Sequence, residues 1–212
     1  MIVTLPRTTT GAITKTLERL RDEGGAVALG RVLTLIIDVG EREVETAIET
    51  ANDASREHPC RVIVLVEDPA RTEPQLDAEI RVGGDAGASE VIVLTASARM
   101  LEHADTLVMP LLLPDAPIVA WWPFEVPPNP STHPVGAMAQ RRITDTLECS
   151  DPLTSLRQLR SSYRAGDTDL AWTRLTVWRG LLSAALDQPP FEQVTRAEVE
   201  GNSTHPSVRV TC

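Results

Sequence analysis

The sequence is poor in aromatics, cysteine and lysine. Only seven of its 212 residues are aromatic, and four of those are Trp, so the placement of each indole is informative. Cys60, Cys149 and Cys212 are an odd number without CxxC spacing, which argues against a disulfide framework and against a zinc site. Lys15 stands alone beside nineteen arginines, a bias read here as codon usage. The opening "MIVTLPRTTTGAI" lacks the charged flank and apolar core of a signal peptide, and no apolar run approaches membrane-spanning length. A cytoplasmic protein without membrane attachment is expected. Basic residues are also in the minority, 20 against 30 acidic, giving a net charge of −10. A duplex partner needs a basic face, so nucleic-acid binding is excluded.

What is present alternates between strand and helix patterns. Ile13, Leu17 and Leu20 recur at helical spacing before Gly24 and Gly25, a helix stop. "RVLTLIIDV" (31–39) and "RVIVLV" (61–66) are β-branched runs of strand length, apolar almost without alternation, as expected of strands covered on both faces. Between them Val44, Ala47, Ile48 and Ala51 form one face of a helix ended by Pro59, so the unit reads as a right-handed parallel crossover. Leu76, Ala78, Ile80 and Val82 alternate with polar residues and lead through "GGDAG" into "EVIVL", a hairpin with its first arm at an edge. Ser97 is placed to cap a helix through Val108, with Pro110 near its last turn. The stretch "PDAPIVAWWP" supplies a further strand, and "PFEVPPNPSTHPVG", with five prolines in fourteen residues, an irregular surface loop. "RRITDTLEC" is a strand candidate, and Asp151–Pro152 caps a helix that Gly166 closes. One long helix, "DLAWTRLTVWRGLLSAALD", follows, and "VTRAEVEG" and "SVRVTC" read as strands.

These elements predict an α/β fold, a three-layer sandwich with a largely parallel, Rossmann-like sheet over residues 1–165. Residues 166–212 are expected to begin a second, α+β domain, incomplete because the last strand-like run reaches the final residue without a turn.

No catalytic or metal-binding constellation is visible. "GGDAG" lacks the spacing of a phosphate loop, there is no GxSxG elbow, and His58, His103, His133 and His205 are scattered and read as surface residues. Cys60 begins a buried strand, where thiols are inert. The tandem Trp121–Trp122–Pro123 is more informative, because it lies at the carboxyl end of a parallel strand, where open α/β sheets place ligand crevices. Successive side chains on a strand face opposite sides, so the two rings cannot share a layer. Two readings stand. Both rings pack against helices on either side of the sheet, or one ring with the proline loop forms an apolar platform for a partner, since Trp and Arg dominate interface hot spots. In the helix that follows, Trp178 belongs to the apolar stripe with Ala171, Leu175, Leu182 and Ala185 and reads as core. Trp172 lies off that stripe beside Arg179. Arg174 and Arg179 are candidates to hold a phosphate, a partner carboxylate or, most commonly, an internal acid.

Five segments in order, "TTTGAITKTLERLRDEGGAVALGRVLTLII", "SREHPCRVIVL", "VMPLLLPDAPIVAWWP", "RRITD" and "DLAWTRLTVWR", resemble the OpcA family of glucose-6-phosphate dehydrogenase assembly proteins. The resemblance implies a non-catalytic factor, without cofactor or metal, that binds glucose-6-phosphate dehydrogenase, promotes its assembly or activity, and so supports NADPH formation in the oxidative pentose phosphate pathway. It also implies a longer parent chain. No site residues carry over, so Trp121, Trp122, Pro123, Trp172, Arg174 and Arg179 are candidate partner-binding residues on position and type alone. A rival expectation is a sensor or degenerate enzyme binding a sugar phosphate or nucleotide beside Trp121–Pro123, with Arg141 and Arg142 nearby.

Overall fold

A computed structural model of the protein describes residues 1–23, 30–83, 90–189, 191, 193–196, 198–202 and 204–211. Its centre is set by two strands, β2 (Leu33–Val39) and β3 (Cys60–Glu67), which pair in parallel. Every residue of β3 except Glu67 is buried. Such a strand needs cover on both faces, and it has it. One face packs on α1 (Thr10–Glu23) through Ile13, Leu17 and Leu20. The other receives Ala47, Ile48 and Ala51 of α2 (Val44–Ser55).

Two further strands extend the sheet outward from β3. β5 (Glu90–Ala96) is parallel to β3, and β4 (Leu76–Arg81) lies antiparallel beside β5. The hairpin is therefore present, while most of its glycine turn lies outside the described residues, as does the Gly24–Gly25 stop. β4 is not an edge. A strand that its four residues did not advertise, β1 (Ile2–Leu5), pairs antiparallel with it and covers it. Beyond β5 the single helix expected from Ser97 to Val108 is two short ones, α3 (Ala98–Leu101) and α4 (Ala104–Val108), with Pro110 in a 3-10 turn (Met109–Leu111). Ser97 occupies the cap position without a side-chain capping bond.

The chain then crosses back. β6 (Ile118–Trp122) pairs in parallel with β2 on the side opposite β3, and β7 (Arg141–Thr144) and β8 (Asp167–Asp169) continue in parallel. The order is β1-β4-β5-β3-β2-β6-β7-β8. Strand order thus reverses between β2 and β6, the switch point of a doubly wound sheet. β8 lies past residue 165, where a second domain was expected to begin, and joins the same sheet.

The last quarter differs most from expectation. α6 (Pro152–Ser162) starts as anticipated, the Asp151 carboxylate accepting from the Thr154 amide, but it ends before Gly166, whose φ of 99° instead makes the turn into β8. The long helix is broken into α7 (Leu170–Thr173) and α8 (Thr176–Leu186), because the Leu175 amide bonds to the Trp172 carbonyl and tightens the turn between them. "VTRAEVEG" forms no strand among its described residues. Of "SVRVTC", residues 207–211 are helical instead, within α9 (Pro206–Thr211), begun by Pro206 with its helix-compatible φ and tied back by the Ser207 hydroxyl donating to the Ala171 carbonyl.

Candidate functional site

The crevice at the switch point is filled by the protein's own side chains. Trp122 is 2 % exposed, and its indole Nε1–H donates to Asp38 Oδ2, 3.2 Å away at the end of β2. The His133 ring meets the indole edge-on, with centroids 5.3 Å apart and planes at 85°, and its Nε2 lies 3.5 Å from the same Asp38 oxygen. His133 is therefore no ordinary surface histidine. It is held there by an ordered turn, not an irregular loop: a 3-10 segment (Pro130–Thr132) runs into α5 (Pro134–Met138) and closes over the indole. Gly136 allows that closure, since a Cβ there would lie 1.8 Å from the Pro130 carbonyl oxygen and 3.1 Å from the Trp122 ring.

The two rings of the tandem lie on opposite faces of β6. Trp122 joins one core cluster, and Trp121 packs half-buried against the other. Pro123 is buried. Neither Trp122 nor Pro123 presents surface to a partner, because the turn from 123 to 138 covers them.

Burial dominates the titration of the plug. It raises the Asp38 carboxyl above its ordinary 3.8, against the opposing pull of His133 and the Trp122 bond, and it lowers the His133 imidazole below its ordinary 6.5. Each shift favours the neutral form. For His133, folded protein binds fewer protons than unfolded chain between its lowered value and 6.5, so its contribution to stability falls as pH drops through that window. For Asp38 the sign is opposite, and stability falls as pH rises from 3.8 through the raised value. We expect wild type to lose more melting temperature than His133→Gln between about pH 7 and pH 5. Equal losses in a thermal-melt series would refute a role for this half-buried imidazole.

Next to the plug, the carboxyl ends of β7 and β8 are tied by polar side chains. The Asp145 amide donates to the Trp122 carbonyl, while its carboxylate receives both terminal nitrogens of Arg174 at 2.7 and 2.6 Å. Asp169 accepts from Thr144 Oγ1, from the amide and hydroxyl of Thr146, and from the Ala171 amide. Arg174 is thus an internal pair that fixes the α7 turn against the sheet. Arg179 lies 3.8 Å over the Trp172 ring and donates to the Trp172 carbonyl and to Thr176 Oγ1. Trp172 is 46 % exposed. Trp178, expected in the core, is 65 % exposed, and Leu181, Leu182 and Leu186 are exposed with it. The stripe was real, but α8 has no buried residue because no described element packs over it.

Two expectations about small ligands can also be placed. Arg142 is buried and committed: it pairs with Asp167 and donates to the Gly136, Ala139 and Ala165 carbonyls. Arg141 is exposed but on the opposite sheet face, so the two arginines do not converge on a phosphate. Cys60 is buried, and the Cys149 thiol, buried and donating to the Phe124 carbonyl, is pushed up by desolvation. Cys212 lies outside the described residues. Among those residues no three His, Cys, Asp or Glu side chains are grouped to hold a metal, and no helix is long and apolar enough to cross a membrane. Asp38, His133 and Asp145 were missed as site residues. A lone acid inside the apolar run "LTLIIDV" was the one local signal.

Fold and site together define a doubly wound α/β protein whose switch point is closed from within and whose exposed indoles lie on the helices after β8. The comparisons with known proteins are more specific. A family profile described as the glucose-6-phosphate dehydrogenase subunit N-terminal domain matches residues 51–161, and one described as the C-terminal domain matches residues 165–212. The chain belongs to the OpcA family of glucose-6-phosphate dehydrogenase assembly proteins. It is similar to a Nostoc punctiforme protein provisionally named OxPP cycle protein OpcA, 25 % identical over 74 % of this chain and 37 % of that one. A Synechocystis protein of the same provisional name is 26 % identical over 66 % of this chain and 31 % of its own length. The chain spans about a third of the length of these relatives.

Proposed function

We propose that this protein binds glucose-6-phosphate dehydrogenase in the cytoplasm, stabilises its active assembled form, and catalyses no reaction itself. Through that enzyme it supports NADPH formation in the oxidative pentose phosphate pathway. The observation that carries the reading is the exposed Trp172, stacked under the half-buried Arg179, with exposed Trp178 on the next helix, in a chain of this family. A Trp and an Arg already held together lose little freedom on binding, which favours them as an anchor. Arg174 contributes by fixing the turn through Asp145, and Trp121, Trp122 and Pro123 by building the sheet end on which that turn rests. The effect on the dehydrogenase is linkage: a factor shifts the ratio of active to inactive forms only by its differential affinity for them.

The test adds purified protein to the cognate dehydrogenase and reads co-elution and turnover together. Binding with raised turnover is expected; no change in either removes the proposal. Trp172→Ala should weaken the complex by about 2 kcal/mol, as at an interface hot spot, with little change in melting temperature. Unchanged affinity would move the anchor elsewhere.

A further inference from the structure

An open groove of about 970 Å³ runs alongside β8. Its walls are apolar: Leu153, Leu156 and Leu159 of α6, all half-buried, run along one side, and Trp172 stands on another. Its floor offers no free charge, since Arg142 and Asp167 satisfy each other and Asp169 is occupied by Thr144, Thr146 and Ala171. The rim is different. Arg157 and Arg160 are exposed and make no hydrogen bond or ion pair among the described residues. Arg157 feels the Asp151 carboxylate only through space.

Acids outnumber bases 30 to 20, and many arginines hold one: Arg71 holds Asp68 and Asp77, Arg81 holds Glu45 and Glu79, and Arg21, Arg31 and Arg61 converge on Glu90. Arg42, Arg99 and Arg141 are exposed without such a partner among the described residues, but they do not line this groove; the rim is set apart by the clustering of its arginines. From residue 152 to 166 there are three arginines and no acid. A basic rim on an apolar groove, in a protein of net charge −10, is complementary to a segment with apolar anchors and carboxylates.

We infer that this groove takes an acidic amphipathic segment of the partner protein, which seats one or two large apolar side chains between α6 and Trp172 and sets carboxylates against Arg157 and Arg160. The inference rests on the proposed binding of glucose-6-phosphate dehydrogenase and names the chemistry of the segment that docks. A sugar phosphate fits the groove less well, because its hydroxyls would face leucines and the floor arginine is already spent.

The experiment titrates the cognate dehydrogenase with three proteins by calorimetry, at about 50 and 300 mM salt. These are wild type, Arg157→Glu/Arg160→Glu, and a control with the same change in net charge placed on exposed residues elsewhere, Arg42→Glu/Arg99→Glu. All substituted side chains are exposed, so circular dichroism spectra should match. The expected result is a loss of about 30-fold or more in affinity for the groove variant at low salt, a smaller loss at high salt, and less than about threefold for the control. Wild-type binding with both variants unaffected, or equally weakened, overturns the groove while leaving the proposed function standing. No binding by wild type defeats the proposed function itself. Saturable binding of glucose 6-phosphate alone that is lost in the groove variant would make the groove a small-anion site and also overturn the inference.

Discussion

Replacing Trp122 with alanine is expected to lower the unfolding free energy by about 3–5 kcal/mol, the range for truncating a buried aromatic. The ring sits in the principal core cluster, touches Gly136, and is edge-on to His133, so its removal leaves a void that the 123–138 turn can fill only by moving. It also strips Asp38 of the indole donor, leaving a half-buried carboxyl with one fewer partner. Urea unfolding followed by far-ultraviolet circular dichroism measures this without relying on indole fluorescence. A loss under about 1 kcal/mol would mean that the site collapses freely and that the plug is not a structural element. Trp122→Phe keeps most of the apolar contact and loses the donor, so it should fall between the two.

Arg142→Met is expected to cost a similar amount, about 3–5 kcal/mol, for a different reason. Arg142 spans β7, the α5 turn and the approach to β8, and its guanidinium satisfies Asp167 together with three backbone carbonyls. An apolar replacement matches the stem but abandons all four acceptors. Adding Asp167→Asn should recover part of the loss, because the remaining charge is removed while an acceptor for the Arg164 amide is kept. Chemical denaturation of the two single variants and the double variant gives the coupling. If the double variant is simply additive, the pair does not organise this edge.

How much of this was readable in advance depended on where each element's stabilisation comes from. β2, β3 and β5 were legible because strands covered on both faces carry continuous apolar runs. β8 was not: its three residues, Asp-Thr-Asp, have the wrong composition for a strand and are held by Arg142, Thr144 and Thr146 from outside. The alternation of Trp121 and Trp122 followed from strand geometry, whereas His133 had no local signal, since its partners Asp38 and Trp122 are brought to it only by the crossover at the switch point. Trp178 marks another boundary of such reasoning. Helical periodicity identifies an apolar stripe, but whether the stripe is covered depends on a second element that periodicity does not contain. The hydrogen-bonded tie from the Trp122 carbonyl through Asp145 to the Arg174 guanidinium likewise joins residues from separate parts of the chain.

The return of the chain past β2 also has a consequence for synthesis. Residues 1–96 contain every strand on one side of the sheet, so that half can assemble from contiguous, early-translated polypeptide. The opposite edge of β2 has to wait for residues 118–122 to leave the ribosome. During that interval a row of unpaired amides and carbonyls between Leu33 and Val39, flanked by apolar side chains, is open to any neighbouring nascent chain. The strand bearing the two indoles is what ends the exposure.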